Sequence, residues 1–121
     1  MEIGRKAWII PDAYTPPESS GKLESHEAIC ILNRNDQAAH LSIHLYFEDR
    51  EPIEHIEYVI QGKRTKHLKT DSLHKDGESV PKGIPYAIEV NSDLPIVVQY
   101  SRLDATQSEN ALMTTLGFAQ D

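Results

Sequence analysis

Asn91-Ser92-Asp93-Leu94-Pro95-Ile96-Val97-Val98-Gln99-Tyr100-Ser101-Arg102-Leu103-Asp104 is the stretch on which the fold turns. It opens on a turn signal, because Asn, Ser and Asp side chains bond readily to their own backbone. Pro95 has no amide hydrogen and fits only the start or the edge of a strand. From Ile96 onward the residues are β-branched or aromatic, as a strand favours. Two-fold alternation puts Val98, Tyr100 and Arg102 on one face and Val97, Gln99, Ser101 and Leu103 on the other. The strand starts apolar and ends polar, so one end belongs in a core and the other beside something hydrophilic. The reading is a hairpin, with strands at residues 86–90 and 96–103 around a turn at 91–93.

Working outward, the same grammar repeats. Residues 3–10 read as a strand carrying Trp8, the chain's one tryptophan. Residues 11–25 are rich in Pro, Ser and Gly and read as a long loop, a flap or a subunit contact. Residues 26–33, with Ala-Ile-Cys-Ile-Leu at their centre, suit a strand covered on both faces. In residues 39–47, Leu41, Ile43, Leu45 and Phe47 alternate with His40, Ser42, His44 and Tyr46. Residues 53–60 form another strand and 64–69 a short extended piece. Residues 70–83 form a second long loop, with one helical turn at 71–74. Near the C-terminus, Thr106-Gln107-Ser108-Glu109 fits a capping box, but Thr114, Thr115, Leu116 and Phe118 favour a turn and a last strand. The sum is an all-β chain of about eight short strands, one jelly-roll-like β-sandwich domain over residues 1–121.

Composition bounds the function. With 39% hydrophobic and 26% charged residues the chain is an ordinary globular one. No apolar run approaches the roughly 20 residues that span a bilayer, and Met1-Glu2-Ile3-Gly4-Arg5-Lys6-Ala7-Trp8 lacks the long apolar segment expected of a signal peptide. Cys30 is the single cysteine, so no internal disulfide forms; the expected location is the cytoplasm. A net charge of −7 argues against sequence-independent nucleic-acid binding.

Catalytic signatures are missing. His40 and His44 share a face, but four strand residues separate them by roughly 13 Å, too far to hold one ion. A cupin-like metal enzyme would have to gather His26, Glu27 and His67 from different strands, without the usual His-x-His. Ser25-His26-Glu27 has a triad's letters, yet neighbouring strand residues point to opposite faces. Glycine-rich phosphate loops are absent. The chain reads as a non-enzyme with no cofactor and no metal. What remains is a set of polar residues at strand ends, His26, Glu27, Arg64, His67, Gln99, Arg102 and Asp104, with Trp8 or Tyr100 alongside. They would either close the end of the sandwich or line a shallow pocket for a hydroxylated or anionic small molecule.

Several motifs run in order through nearly the whole chain. They are Ile3-Gly4-Arg5 followed by Trp8, Ser25-His26-Glu27 followed by Cys30-Ile31-Leu32-Asn33, and Glu51-Pro52. Further on come Arg64-Thr65-Lys66-His67, Pro95-Ile96-Val97-Val98-Gln99, and Arg102-Leu103-Asp104 with Gln107 and Glu109-Asn110-Ala111-Leu112. In these the sequence resembles the sensory rhodopsin transducer family. The resemblance implies a β-sandwich assembling as a homotetramer, with a non-enzymatic role in signalling or in binding a sugar-like metabolite. The alternative it implies is a subunit that docks on a membrane photoreceptor without a ligand of its own. Trp8, His26, Glu27, Arg64, His67, Gln99 and Arg102 carry over as ligand-binding or interface candidates.

Overall fold

A computed structural model describes residues 3–15, 26–104 and 111–120; for His26 and residues 103, 104 and 111–113 it describes the backbone alone. The strands are β1 (Arg5–Ala13), β2 (His26–Asn33), β3 (Ala39–Phe47), β4 (Ile53–Ile60), β5 (Arg64–Lys69), β6 (His74–Lys75), β7 (Glu78–Ser79), β8 (Tyr86–Asp104), β9 (Ala111–Leu116) and β10 (Phe118–Gln120). A 3-10 turn at Thr70–Ser72 is the only helical element among the described residues. The all-β architecture expected from the sequence is what forms, and its centre is the decisive stretch.

That stretch is not a hairpin. Strand β8 runs unbroken through 19 residues and passes from one half of the fold to the other. Its first part lies between β1 and β3, with Ile88 opposite Ile10 and Leu45. Its second part lies between β2 and β9, with Tyr100 opposite Ile29 and Thr115. One half is therefore ordered β10-β1-β8-β3-β4 and the other β5-β2-β8-β9, antiparallel throughout and not closed into a barrel. The turn chemistry at 91–93 is real but makes a corner rather than a reversal. Ser92 Oγ accepts from Leu94 N at 3.2 Å, and Asp93 Oδ1 accepts from His40 N at 2.8 Å. Against β1, the step from Arg5 to Ala7 spans Ile96 to Asn91, so β8 carries extra residues at the corner. Pro95 sits there, where a missing amide costs no ladder bond.

Other boundaries moved for similar reasons. Strand β1 continues past Pro11, because a bulge between Ile10 and Ala13 absorbs the proline. The long loop after β5 contains a small hairpin, β6–β7, closed by Asp76 and Gly77, with φ of 52° and 82°. Asp-Gly is the preferred pair for such a two-residue turn. The helical turn falls at Thr70–Ser72, one residue earlier than expected. The C-terminal strand is two strands, because Gly117 carries the chain from β9 beside β8 to β10 beside β1. The capping-box residues 106–109 lie outside the described residues.

Inward faces of both halves share one core. Ile29, Ile31, Ile43, Leu45, Ile88, Val90 and Val98 are fully buried in it. The expected alternation in β3 puts Leu41, Ile43 and Leu45 inside, and in β8 it puts Val98 and Tyr100 inside. Asn33, fully buried, ties the two halves at one end by donating to the carbonyls of Gln37 and Ile60 at 2.8 and 2.9 Å. Gly4 approaches the same corner from β1. Its φ is +100°, and a Cβ there would lie 2.4 Å from the Ile96 carbonyl oxygen. Gly4→Ala is expected to cost about 1–3 kcal/mol through strain in a left-handed backbone and the clash with β8. A shift in the urea midpoint with an unchanged slope would show it.

Candidate functional site

The end of the sandwich opposite Asn33 holds a buried carboxylate. Glu27 enters from β2, alternating inward with Ile29 and Ile31, and is 1% exposed. No cationic side chain bonds it among the described residues. Five donors do. Tyr14 N donates to Oε2 at 2.6 Å, Thr15 Oγ1 to Oε1 at 2.5 Å and Thr70 Oγ1 to Oε1 at 3.4 Å. The hydroxyls of Tyr86 and Tyr100 donate to Oε1 and Oε2. An ionised carboxylate is acceptor-only and offers about four lone-pair sites, so this shell saturates it. The donors come from the end of β1, the turn after β5 and both parts of β8. Glu27 thus joins the two halves of the fold where they would otherwise part.

Both phenols are held up by this. Burial first, then the charge of Glu27 and the bond to it, push the Tyr86 hydroxyl well above its ordinary range. Burial and the Glu27 bond raise Tyr100 likewise, and Arg102 partly offsets them. Because its own hydroxyl hydrogen points at Glu27, the Tyr100 oxygen accepts from Arg102 Nε at 3.2 Å. The Arg102 guanidinium lies 5.9 Å from the Tyr100 ring centroid. Burial, the largest single influence, works against its charge; the Tyr100 hydroxyl, Glu27 and Asp12 outweigh it and hold the group protonated. The chain Glu27–Tyr100–Arg102 therefore leads from the core to the surface.

It ends in a cleft of about 420 Å³ between the edges of the two halves. Ile10, Pro11 and Asp12 of β1 form one wall, and Thr114, Thr115 and Leu116 of β9 the other. Tyr100 and Arg102 line it from β8, with Phe118 of β10 beside them. The β1 bulge at Pro11 leaves Asp12 exposed at this wall. Leu116 and Phe118, 62% and 63% exposed, present bare apolar surface. A concave site with apolar walls and a few fixed polar groups is how small-molecule sites are built.

Of the sequence candidates, the structure brings together Glu27 and Arg102, through Tyr100. Trp8 is a core residue whose Nε1 donates to the carbonyls of Arg5 and Ile96 at 3.0 and 3.1 Å. Arg64 is exposed and bonds the carbonyl of Lys63 at 3.1 Å. His67 and Gln99 flank Cys30 in register, on the outer face of the sheet away from Glu27. The cupin-like trio is therefore not assembled, since Glu27 and His67 point to opposite faces. The side chain of His26 lies outside the described residues. Among the described residues no three His, Cys, Asp or Glu side chains cluster as metal ligands would. Asp12, Tyr14, Thr15, Thr70 and Tyr86 were not singled out by the sequence. A second polar cluster lies on the outer face of the other half. There Asn91 and then Tyr46 bond Glu89 and hold its carboxyl below the usual range, while the same bond pushes Tyr46 up to about 12.

Comparison with known proteins agrees with the architecture. Among solved structures, a Thermotoga maritima protein, 1070, superposes with a TM-score of 0.85 at 40% identity, covering 97% of this chain and 96% of its own. The Anabaena sensory rhodopsin transducer superposes with a TM-score of 0.76 at 38% identity, covering 90% of this chain and 96% of its own. No curated protein matches. No helix among the described residues is long and apolar enough to cross a membrane. The profile of the Anabaena sensory rhodopsin transducer family matches residues 3–119, and the chain belongs to that family.

Proposed function

We propose that this protein is a non-enzymatic cytoplasmic module of the transducer type that binds a small, polar, sugar-like metabolite in the cleft at Arg102. The observation that carries the reading is the Glu27–Tyr100–Arg102 chain ending among apolar walls. The chain fixes the guanidinium, and Phe118 and Leu116 offer the flat non-polar surface that a sugar face packs against. Binding is coupled to signalling because Glu27 also holds Tyr14, Thr15 and Thr70, so a change at Arg102 reaches two further segments, the one after β1 and the turn after β5. The protein works as a homotetramer, in which the small side chains of Ala28, Cys30 and Ser101 on the outer face of β2 and β8 suit a subunit contact; sedimentation should give a four-chain mass.

A second reading follows from the family's name. The relative is a transducer for a sensory rhodopsin, and this chain would dock on such a photoreceptor without a ligand of its own. A thermal-shift screen against sugars, sugar acids, nucleotides and divalent metals separates the two. A ligand at 100 times its dissociation constant stabilises the fold by roughly 2.7 kcal/mol, a shift of several degrees. A sugar-class hit that Arg102→Gln abolishes is the expected result. A flat screen, with capture by a retinal protein in membranes, would replace the first reading with the second.

A further inference from the structure

We propose that the cleft selects a hydroxylated monocarboxylic acid, a sugar acid rather than a neutral sugar, and that Arg102 reads the carboxylate end-on. The inference rests on the metabolite reading above and narrows it to one ligand class.

The argument starts from the hydrogen-bond inventory of Arg102. A guanidinium has five N–H donors in a rigid planar fork and accepts nothing. Its Nε donor is committed to the Tyr100 oxygen at 3.2 Å. Tyr100 is available as an acceptor there because its own proton is directed to Glu27. That commitment leaves the two terminal nitrogens, which bond no other described residue. Two parallel donors on adjacent nitrogens match the two oxygens of a carboxylate. A neutral hydroxyl would use one donor and leave the rest of a half-buried charge unanswered. Arg102 has Asp12 near enough to favour its charge, but no ion pair forms between them. Asp12 instead stands on the opposite wall as an acceptor for ligand hydroxyls. Its negative charge disfavours a second anionic group on the ligand, which limits the class to monocarboxylates. Thr115, in register with Tyr100, adds a further hydroxyl on β9, and Phe118 and Leu116 border the cleft with apolar surface. Arginine fork, acceptor, hydroxyl and apolar wall together describe a sugar acid.

The test is titration calorimetry on the full chain with glucuronate, galacturonate and gluconate, against glucose, galactose and glucuronamide. At least one acid is expected to bind ten-fold or more tighter than its neutral counterpart. Arg102→Gln should erase that difference. Arg102→Lys, which keeps the charge but not the fork, should lose most of it. Asp12→Asn changes an exposed side chain and should relax selection so that the diacid glucarate binds as well as the monoacid. Equal affinity for acids and neutral sugars would overturn the carboxylate assignment and leave the sugar reading standing. Tighter binding of glucose 6-phosphate or of a zwitterionic amino acid such as leucine would overturn it in favour of that chemistry. No binding by any of them would remove both readings.

Discussion

Glu27→Ala is expected to be the most damaging single substitution in this protein, costing about 4 kcal/mol or more and leaving little folded protein at 37 °C. The reason is the five donors, not the carboxylate. Removing it strands Tyr14 N and the hydroxyls of Thr15, Thr70, Tyr86 and Tyr100 around a void. A buried donor left without an acceptor costs about 1–3 kcal/mol. Hydroxyls can rotate toward one another and recover part of that; the Tyr14 amide cannot. Domains of this kind have only about 5–15 kcal/mol of stability in total. Glu27→Gln separates this account from simple loss of charge. The amide NH2 can face the Oε1 side, where the three partners are hydroxyls able to accept, while its oxygen keeps Tyr14 N and Tyr100. Gln should therefore fold and cost about half as much as Ala. Urea unfolding of both variants gives the comparison. Equal and small effects would mean that the two halves hold together without this junction.

The junction shows where sequence reading succeeds and where it stops. Period-two patterning found nearly every strand, because each has one face in the core and a one-residue slip would expose it. Leu41, Ile43 and Leu45 are buried as their alternation requires. Patterning could not tell a hairpin from a corner at residues 91–93. Asn, Ser and Asp favour both, and what decides is tertiary: His40 N and the β1 backbone reach β8 there. The Asp76-Gly77 turn was legible in the letters and passed over inside a polar loop. At the site, Glu27 and Arg102 stood out as charged residues at the polar ends of their strands. Their partners did not. Tyr86, Thr15 and Thr70 are 59, 12 and 43 residues away from Glu27 along the chain, and nothing local to them announces a carboxylate. Trp8, Arg64, His67 and Gln99, candidates for a ligand or an interface, lie away from the Arg102 cleft. Each is chemically able to line a pocket, but strand parity or the core took it elsewhere.

The second large effect is alkaline unfolding. Tyr86 and Tyr100 are 4% and 2% exposed, and both hydroxyls are held well above the ordinary phenol value near 10. Below pH 10 both phenols are protonated in the folded and the unfolded chain, so they add no pH dependence there. Above it the unfolded chain releases both protons and the folded chain keeps them. The unfolded state then binds fewer protons, and stability falls as pH rises. Each such tyrosine contributes about 1.4 kcal/mol per pH unit, so the pair removes roughly 2.7 kcal/mol for each unit above 10. Urea midpoints measured from pH 8 to 11 should be level at first and then drop steeply. Tyrosinate absorbance gives an independent readout, since Tyr86 and Tyr100 should ionise only together with loss of the fold. Tyr46 is raised as well, so Tyr100→Phe should remove between about a third and a half of the slope while keeping Tyr86 and its bond to Glu27. An unchanged slope in that variant would mean that Tyr100 ionises freely in the native protein. The route from Glu27 to Arg102 would then be open to water, and the order that places the guanidinium in the cleft would be lost with it.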